Sequence, residues 1–157
     1  MKTLRLLMVP VAFSGGMATT ALADSGTLTS DELQSLLDSA SQYGFTHYEE
    51  ISTEDDSRLE LEGWRDDGWH LDVDMLVEDG SLVHEAQRKS EIPDWSLTAE
   101  EVEQALANAY DAGLQRFEQL DVDREGHLEI EGYTAQNREI EIRLNSDDLS
   151  ITGVKND

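Results

Sequence analysis

The chain repeats itself. Shifted by 69 residues, Leu28-Thr29-Ser30-Asp31-Glu32 falls on Leu97-Thr98-Ala99-Glu100-Glu101, and Leu59-Glu60-Leu61-Glu62-Gly63-Trp64 falls on Leu128-Glu129-Ile130-Glu131-Gly132-Tyr133, with no gap between the two matches. A fixed period constrains the fold more than any single motif does, because every reading of a segment must hold in both copies.

Each copy opens on a capping box, Thr29 to Glu32 and Thr98 to Glu101, in which hydroxyl and carboxylate satisfy free backbone N–H groups reciprocally. Helices are therefore expected from Thr29 and Thr98. Leu33, Leu36, Leu37 and Ala40, matched by Val102, Ala105, Leu106 and Ala109, form the stripe of a helix buried on one side. Gly44 and Gly113 stand where a glycine would end it. A short aromatic and apolar passage follows (Phe45, Tyr48, Ile51; Leu114, Phe117, Leu120), and then the period changes to two. Leu59 and Leu61 alternate with Glu60 and Glu62, and Leu71, Val73 and Met75 with His70, Asp72 and Asp74; Leu128 and Ile130 against Glu129 and Glu131, then Ile140, Ile142 and Leu144 against Glu139, Glu141 and Arg143, repeat the pattern. Asp67-Gly68 predicts a hairpin turn, and Asn137 replaces Gly68 with another residue that tolerates a left-handed backbone. A third strand is expected around residues 81–83 and 150–154. The expected fold is α+β: two tandem repeats, residues 24–88 and 97–157, joined by a linker over 89–96 that contains Pro93. Each would be a helix followed by a three-stranded antiparallel meander, with the helices packed on one face of the sheet. A unit of about 60 residues is marginal alone, so the copies are expected to pack together.

Lys2 and Arg5, the apolar run Leu6 to Phe13 and the ending Ala21-Leu22-Ala23 read as a secretory signal peptide over residues 1–23, with cleavage before Asp24. The run is shorter than the roughly 20 residues of a membrane span, so the mature chain is expected to be periplasmic or secreted, with no span of its own. The formal net charge is −24, and becomes two units more negative when Lys2 and Arg5 leave. Such a field repels nucleic acid and anionic lipid and favours basic partners or divalent cations; a plainer reading is a surface adapted for solubility or salt. The chain has no cysteine, which excludes disulfides and thiol chemistry.

The capped helix ending in glycine, the strand closing on Glu62-Gly63 or Glu131-Gly132, the Asp-Gly turn and the strand ending Val73-Asp74 together resemble the PepSY domain, twice over nearly the whole mature chain. The chain departs from that pattern late in each copy: Gly80 comes after its usual place, and the second copy has Arg143 for the aspartate and Leu149 for the glycine. The resemblance implies an extracytoplasmic, non-catalytic module that restrains a peptidase or modulates a sensor ectodomain. It implies no cofactor and no catalytic residue.

By strand parity Glu60, Glu62, Trp64, His70, Asp72 and Asp74 share one polar face, repeated by Glu129, Glu131, Tyr133, Glu139 and Glu141. Acids around one exposed aromatic per copy are the predicted partner-binding surface, with Trp64 and Tyr133 as anchors; the alternative is a wet face with no partner. Calcium is the competing expectation. Residues 121–132 resemble an EF-hand loop, with Asp121, Asp123 and Glu125 at the first three ligand positions and Gly126 at the turn. The bidentate acid is misplaced, however, at Glu131 instead of position 132, and the first copy lacks the pattern. His70, Asp72 and Asp74 are a weaker metal set, answered in the second copy by Glu139, Glu141 and Arg143, while His47, His84 and His127 are scattered. No catalytic motif is present: there is no His-Glu-x-x-His, no Gly-x-Ser-x-Gly and no phosphate-binding glycine loop.

Overall fold

The computed structural model describes residues 26–157 apart from Asp56; the expected signal segment and its cleavage site lie outside these. Both helices start as their caps dictate. In α1 (Ser30–Ala40) the Thr29 N–H donates to Glu32 Oε2 at 2.9 Å, and in α2 (Ala99–Asp111) the Thr98 N–H donates to Glu101 Oε2 at 2.8 Å while the Glu101 N–H returns to Thr98 Oγ1 at 3.2 Å. Leu33, Leu36, Leu37 and Ala40 on α1 and Val102, Ala105, Leu106 and Ala109 on α2 are buried.

After a single 3-10 turn at Ser41–Tyr43, the other regular elements among the described residues are strands. The order along the chain is β1 (Phe45–Glu54), β2 (Arg58–Arg65), β3 (Trp69–Leu76), β4 (Leu82–Lys89), β5 (Leu97–Thr98), β6 (Arg116–Val122), β7 (His127–Tyr133), β8 (Glu139–Asn145) and β9 (Ile151–Asn156). They form one nine-stranded antiparallel sheet in the order β4-β3-β2-β1-β6-β7-β8-β9, with the short β5 also paired to β1. This corrects the expected architecture of two tandem repeats, each a helix and a three-stranded meander. The passages after the helices are themselves strands, β1 and β6, and they fuse the halves into a single sheet.

The physical reason is a set of β-bulges. The β1–β2 register shifts between Phe45 and His47 and again between Tyr48 and Glu50, and the β6–β7 register shifts between Phe117 and Gln119. An extra residue at a bulge breaks the alternation, so the inward residues Phe45, Tyr48 and Ile51, and likewise Phe117 and Leu120, fall three apart and do not look like a strand. The glycine of each Glu-Gly motif serves the same region. A Cβ on Gly63 would lie 2.2 Å from the His47 carbonyl oxygen, and one on Gly132 would lie 2.0 Å from that of Arg116; only a residue without a side chain admits the bulged neighbour so closely.

The β1–β6 pairing matches Glu50 with Asp121, Ile51 with Leu120 and Ser52 with Gln119. Under the 69-residue shift Ile51 and Leu120 exchange places, and so do the pairs on either side, so a local twofold passes between Ile51 and Leu120. Lead-in residues cross this axis: Leu28 bridges to Phe117 of the other half, and Leu97 pairs with Tyr48. Leucines, isoleucines and valines from both helices and from β1, β2, β3, β6, β7 and β8 join one buried cluster. The turns hold left-handed residues where expected, Gly68 at φ 76° and Asn137 at φ 60°. Gly80 at φ 68° is answered by Leu149 at φ 56°, where the side chain is buried and the carbonyl accepts from Asn108 Nδ2 at 2.8 Å.

Candidate functional site

Residues opposite one another on neighbouring strands share a face, so the registers assemble the polar face directly. One row runs Asp72, Glu62, Glu50, Asp121, Glu129, Arg143 across β3, β2, β1, β6, β7 and β8. Its twofold mate runs Asp74, Glu60, Ser52, Gln119, Glu131, Glu141 over the same strands. Neighbouring side chains in such a row are about 4.8 Å apart. Like charges directly opposite destabilise a sheet, yet Glu62 faces both Asp72 and Glu50, Glu50 faces Asp121, Glu60 faces Asp74 and Glu131 faces Glu141.

Cations serve the β8 end of both rows and the Asp74 end of the second. Arg143 Nε lies 3.0 Å from Glu129 Oε2 and its guanidinium also pairs with Glu141, which Lys155 Nζ approaches to 3.7 Å; Arg58 Nη1 is 3.7 Å from Asp74 Oδ2. Among the described residues no Lys, Arg or His reaches Glu50, Glu60 or Asp121 in an ion pair. The consequence is electrostatic strain at the centre. Burial, with Glu54, Asp72, Asp74 and Glu50 around it, pushes Glu60 up to about 7. Glu62 is raised by burial and by Asp72, Glu49 and Glu50, against the opposing pull of Arg88. Asp121 is raised by burial and by Glu50, and Glu131 by burial and by Glu129.

The predicted binding residues thus divide. Glu60, Glu62, Asp72, Asp74, Glu129, Glu131 and Glu141 lie in the two rows, while Glu139, opposite Tyr133, lies beside them, two residues along β8 from Glu141. Trp64 is not the exposed anchor expected of it. Its strand parity places it on the polar face, but the connector after β4 returns over it: Trp64 is 3% exposed, meets Trp95 edge-on at 5.6 Å and donates from Nε1 to Ser90 Oγ at 3.3 Å. Tyr133 is half-buried, with the Arg116 guanidinium 5.0 Å over its ring. His70 is buried too, edge-on to Trp64 at 4.7 Å, with Nε2 3.2 Å from Glu49 Oε2; its ring nitrogen groups with Glu49 and Glu62 rather than with Asp72 and Asp74.

The calcium reading does not find its geometry. Residues 121–132 form strand, turn and strand. Asp123 is spent on the turn, its Oδ1 accepting the N–H groups of Glu125 and His127 at 2.9 Å each and its Oδ2 lying 2.8 Å from His127 Nδ1, which holds the Asp123 carboxyl below the usual range. Asp121 and Glu131 sit in different rows, Glu125 is exposed on the turn, and the four do not converge. Sequence reasoning missed Glu49 and Glu50, both half-buried on β1, because the bulge concealed the strand; the consecutive acids between Tyr48 and Ile51 were the available signal. A cleft of about 690 Å³ lies at the sheet end between Trp95, Glu101, Arg124, His127 and Asn145, apart from the rows and with charges of both signs.

No family model matches the chain and no curated protein matches it. Among solved structures it is similar to a crystal structure described as a putative lipoprotein from Clostridium difficile 630, at 10% identity and a TM-score of 0.41, over 87% of this chain and 98% of that one. Among the described residues no helix is long and apolar enough to cross a membrane.

Proposed function

We propose that the chain is an exported, non-catalytic binding module whose acidic sheet face captures a cationic partner. The observation that carries this reading is the pair of carboxylate rows crossing six strands with their central members unneutralised. A sheet that sets acids directly opposite one another gives up stability, and a ligand bringing positive charge to the centre recovers it. The signal sequence supports export. The PepSY-like order of motifs supports a partner that is an envelope peptidase or a sensor ectodomain, held through a basic surface and modulated by being held. Because Trp64 is covered, recognition is electrostatic and depends on salt.

The test is affinity capture of the tagged protein from its host's envelope fraction, beside a variant carrying Glu60→Gln, Glu62→Gln and Asp72→Asn. Capture of a peptidase or sensor ectodomain with a basic surface, released by salt and lost in the variant, is the expected result. Capture that the variant retains would overturn the reading.

A further inference from the structure

We propose that Glu49, Glu62 and His70 form a binding site for one divalent transition ion, with zinc the best match to the ligands. The site shares Glu62 with the acidic row but does not rest on the partner reading. The three side chains come from three adjacent strands, and their ligand atoms all lie within 4.8 Å of one another. His70 Nε2 stands 3.2 Å from Glu49 Oε2 and 3.8 Å from Glu62 Oε2. Tetrahedral coordination with bonds of about 2.0 Å sets ligand atoms about 3.3 Å apart, so His70 already stands near the needed distance from both carboxylates. Imidazole with carboxylates suits zinc, leaving a fourth position open.

The bulge in β1 makes this possible. Glu49 falls in the register shift between Tyr48 and Glu50, and the extra residue aims it across β2 at His70, the re-aiming that bulges commonly provide. His70 is 3% exposed, and its ring is held by Trp64, which Ser90 anchors in turn. A histidine locked by packing loses little freedom on taking a metal. Beside it a cavity of about 200 Å³, lined by Glu62, His70, Asp72, Ala86, Gln87 and Arg88, gives an approach and room for a bound water. Arg88, opposite His70 on β4, is the cation already present there, and an entering ion takes over its role beside Glu62. The second half has Glu118, Glu131 and Glu139 at the equivalent positions, without imidazole, and its matching cavity of about 140 Å³ contains Lys155. One ion per chain follows. The purely acidic groupings, Glu54 with Glu60 and Asp74 and Glu60 with Glu62 and Asp72, offer no imidazole and carry no such claim.

The test is titration of the purified protein with zinc chloride, followed by calorimetry and by tryptophan fluorescence, since Trp64 touches the imidazole. The expected result is one saturable equivalent with a fluorescence change, weakened at least about tenfold by His70→Gln and by Glu49→Gln, while Glu100→Gln, exposed on α2, leaves both signals in place. Should His70→Gln fail to fold by circular dichroism, Glu49→Gln, at a partly exposed side chain, decides alone. No saturable binding, or binding that Glu49→Gln leaves unchanged, would overturn the proposal.

Discussion

Glu60 is a carboxylate held where ionisation is disfavoured, partly buried between Ser52 and Asp74 and also in the fields of Glu54, Asp72 and Glu50. Its folded-state value of about 7 stands above the ordinary 4.5. A group raised in the folded state contributes its full stability below the unfolded value and loses it as pH rises through the folded one. Glu62, Asp121 and Glu131 are raised in the same direction, so thermal melts are expected to shift upward as pH falls from about 8 to about 5. Glu60→Gln should raise the melting temperature at neutral pH and flatten that dependence; a melting temperature that falls steadily over this acidification would contradict the electrostatic account. Gly63 and Gly132 are a second residue-scale test. Alanine at either would drive a Cβ into a backbone oxygen, and each substitution is expected to cost about 3 kcal/mol or more in denaturant unfolding, at the upper end of overpacking effects.

At the scale of elements, the seam between β1 and β6 rests on few pairs, with Ile51 and Leu120 at its centre and fully buried. Ile51→Ala removes buried methyls where two strands meet, and about 3 kcal/mol of lost stability is expected from urea denaturation. The same seam separates what could be read in the chain from what could not. The helices were legible because Thr29 with Glu32 and Thr98 with Glu101 mark their starts and the apolar stripes their buried faces; β2, β3, β7 and β8 were legible because polar and apolar residues alternate along them. The strands β1 and β6 were not, because their bulges set inward residues three apart. Parity does not give the exposure of Trp64, since cover by Ser90 and Trp95 depends on the path of a connector that carries no periodic signal. Glu49 was invisible for the same reason as its strand, and with it the contact to His70.

For the whole molecule, the twofold through Ile51 and Leu120 and the crossing pairs Leu28–Phe117 and Leu97–Tyr48 mean that each half completes the other. A fragment ending at Ser90 leaves β1 with one unpaired edge and Tyr48 without its cover from Leu97, and it is expected to show no cooperative thermal transition as a monomer, checked by circular dichroism with sedimentation. The fused sheet is also what makes the acidic rows continuous, since Glu50 and Asp121 face each other only across the seam. The most direct measurement is titration of the isotopically labelled protein with a short lysine-rich peptide, followed amide by amide in NMR spectra at low and physiological salt. Shifts concentrated on β1, β2, β3, β6, β7 and β8 around the two rows, weakening as salt rises, are the predicted result; shifts confined to the helices or to the outer strands β4 and β9, or an affinity indifferent to salt, would contradict it.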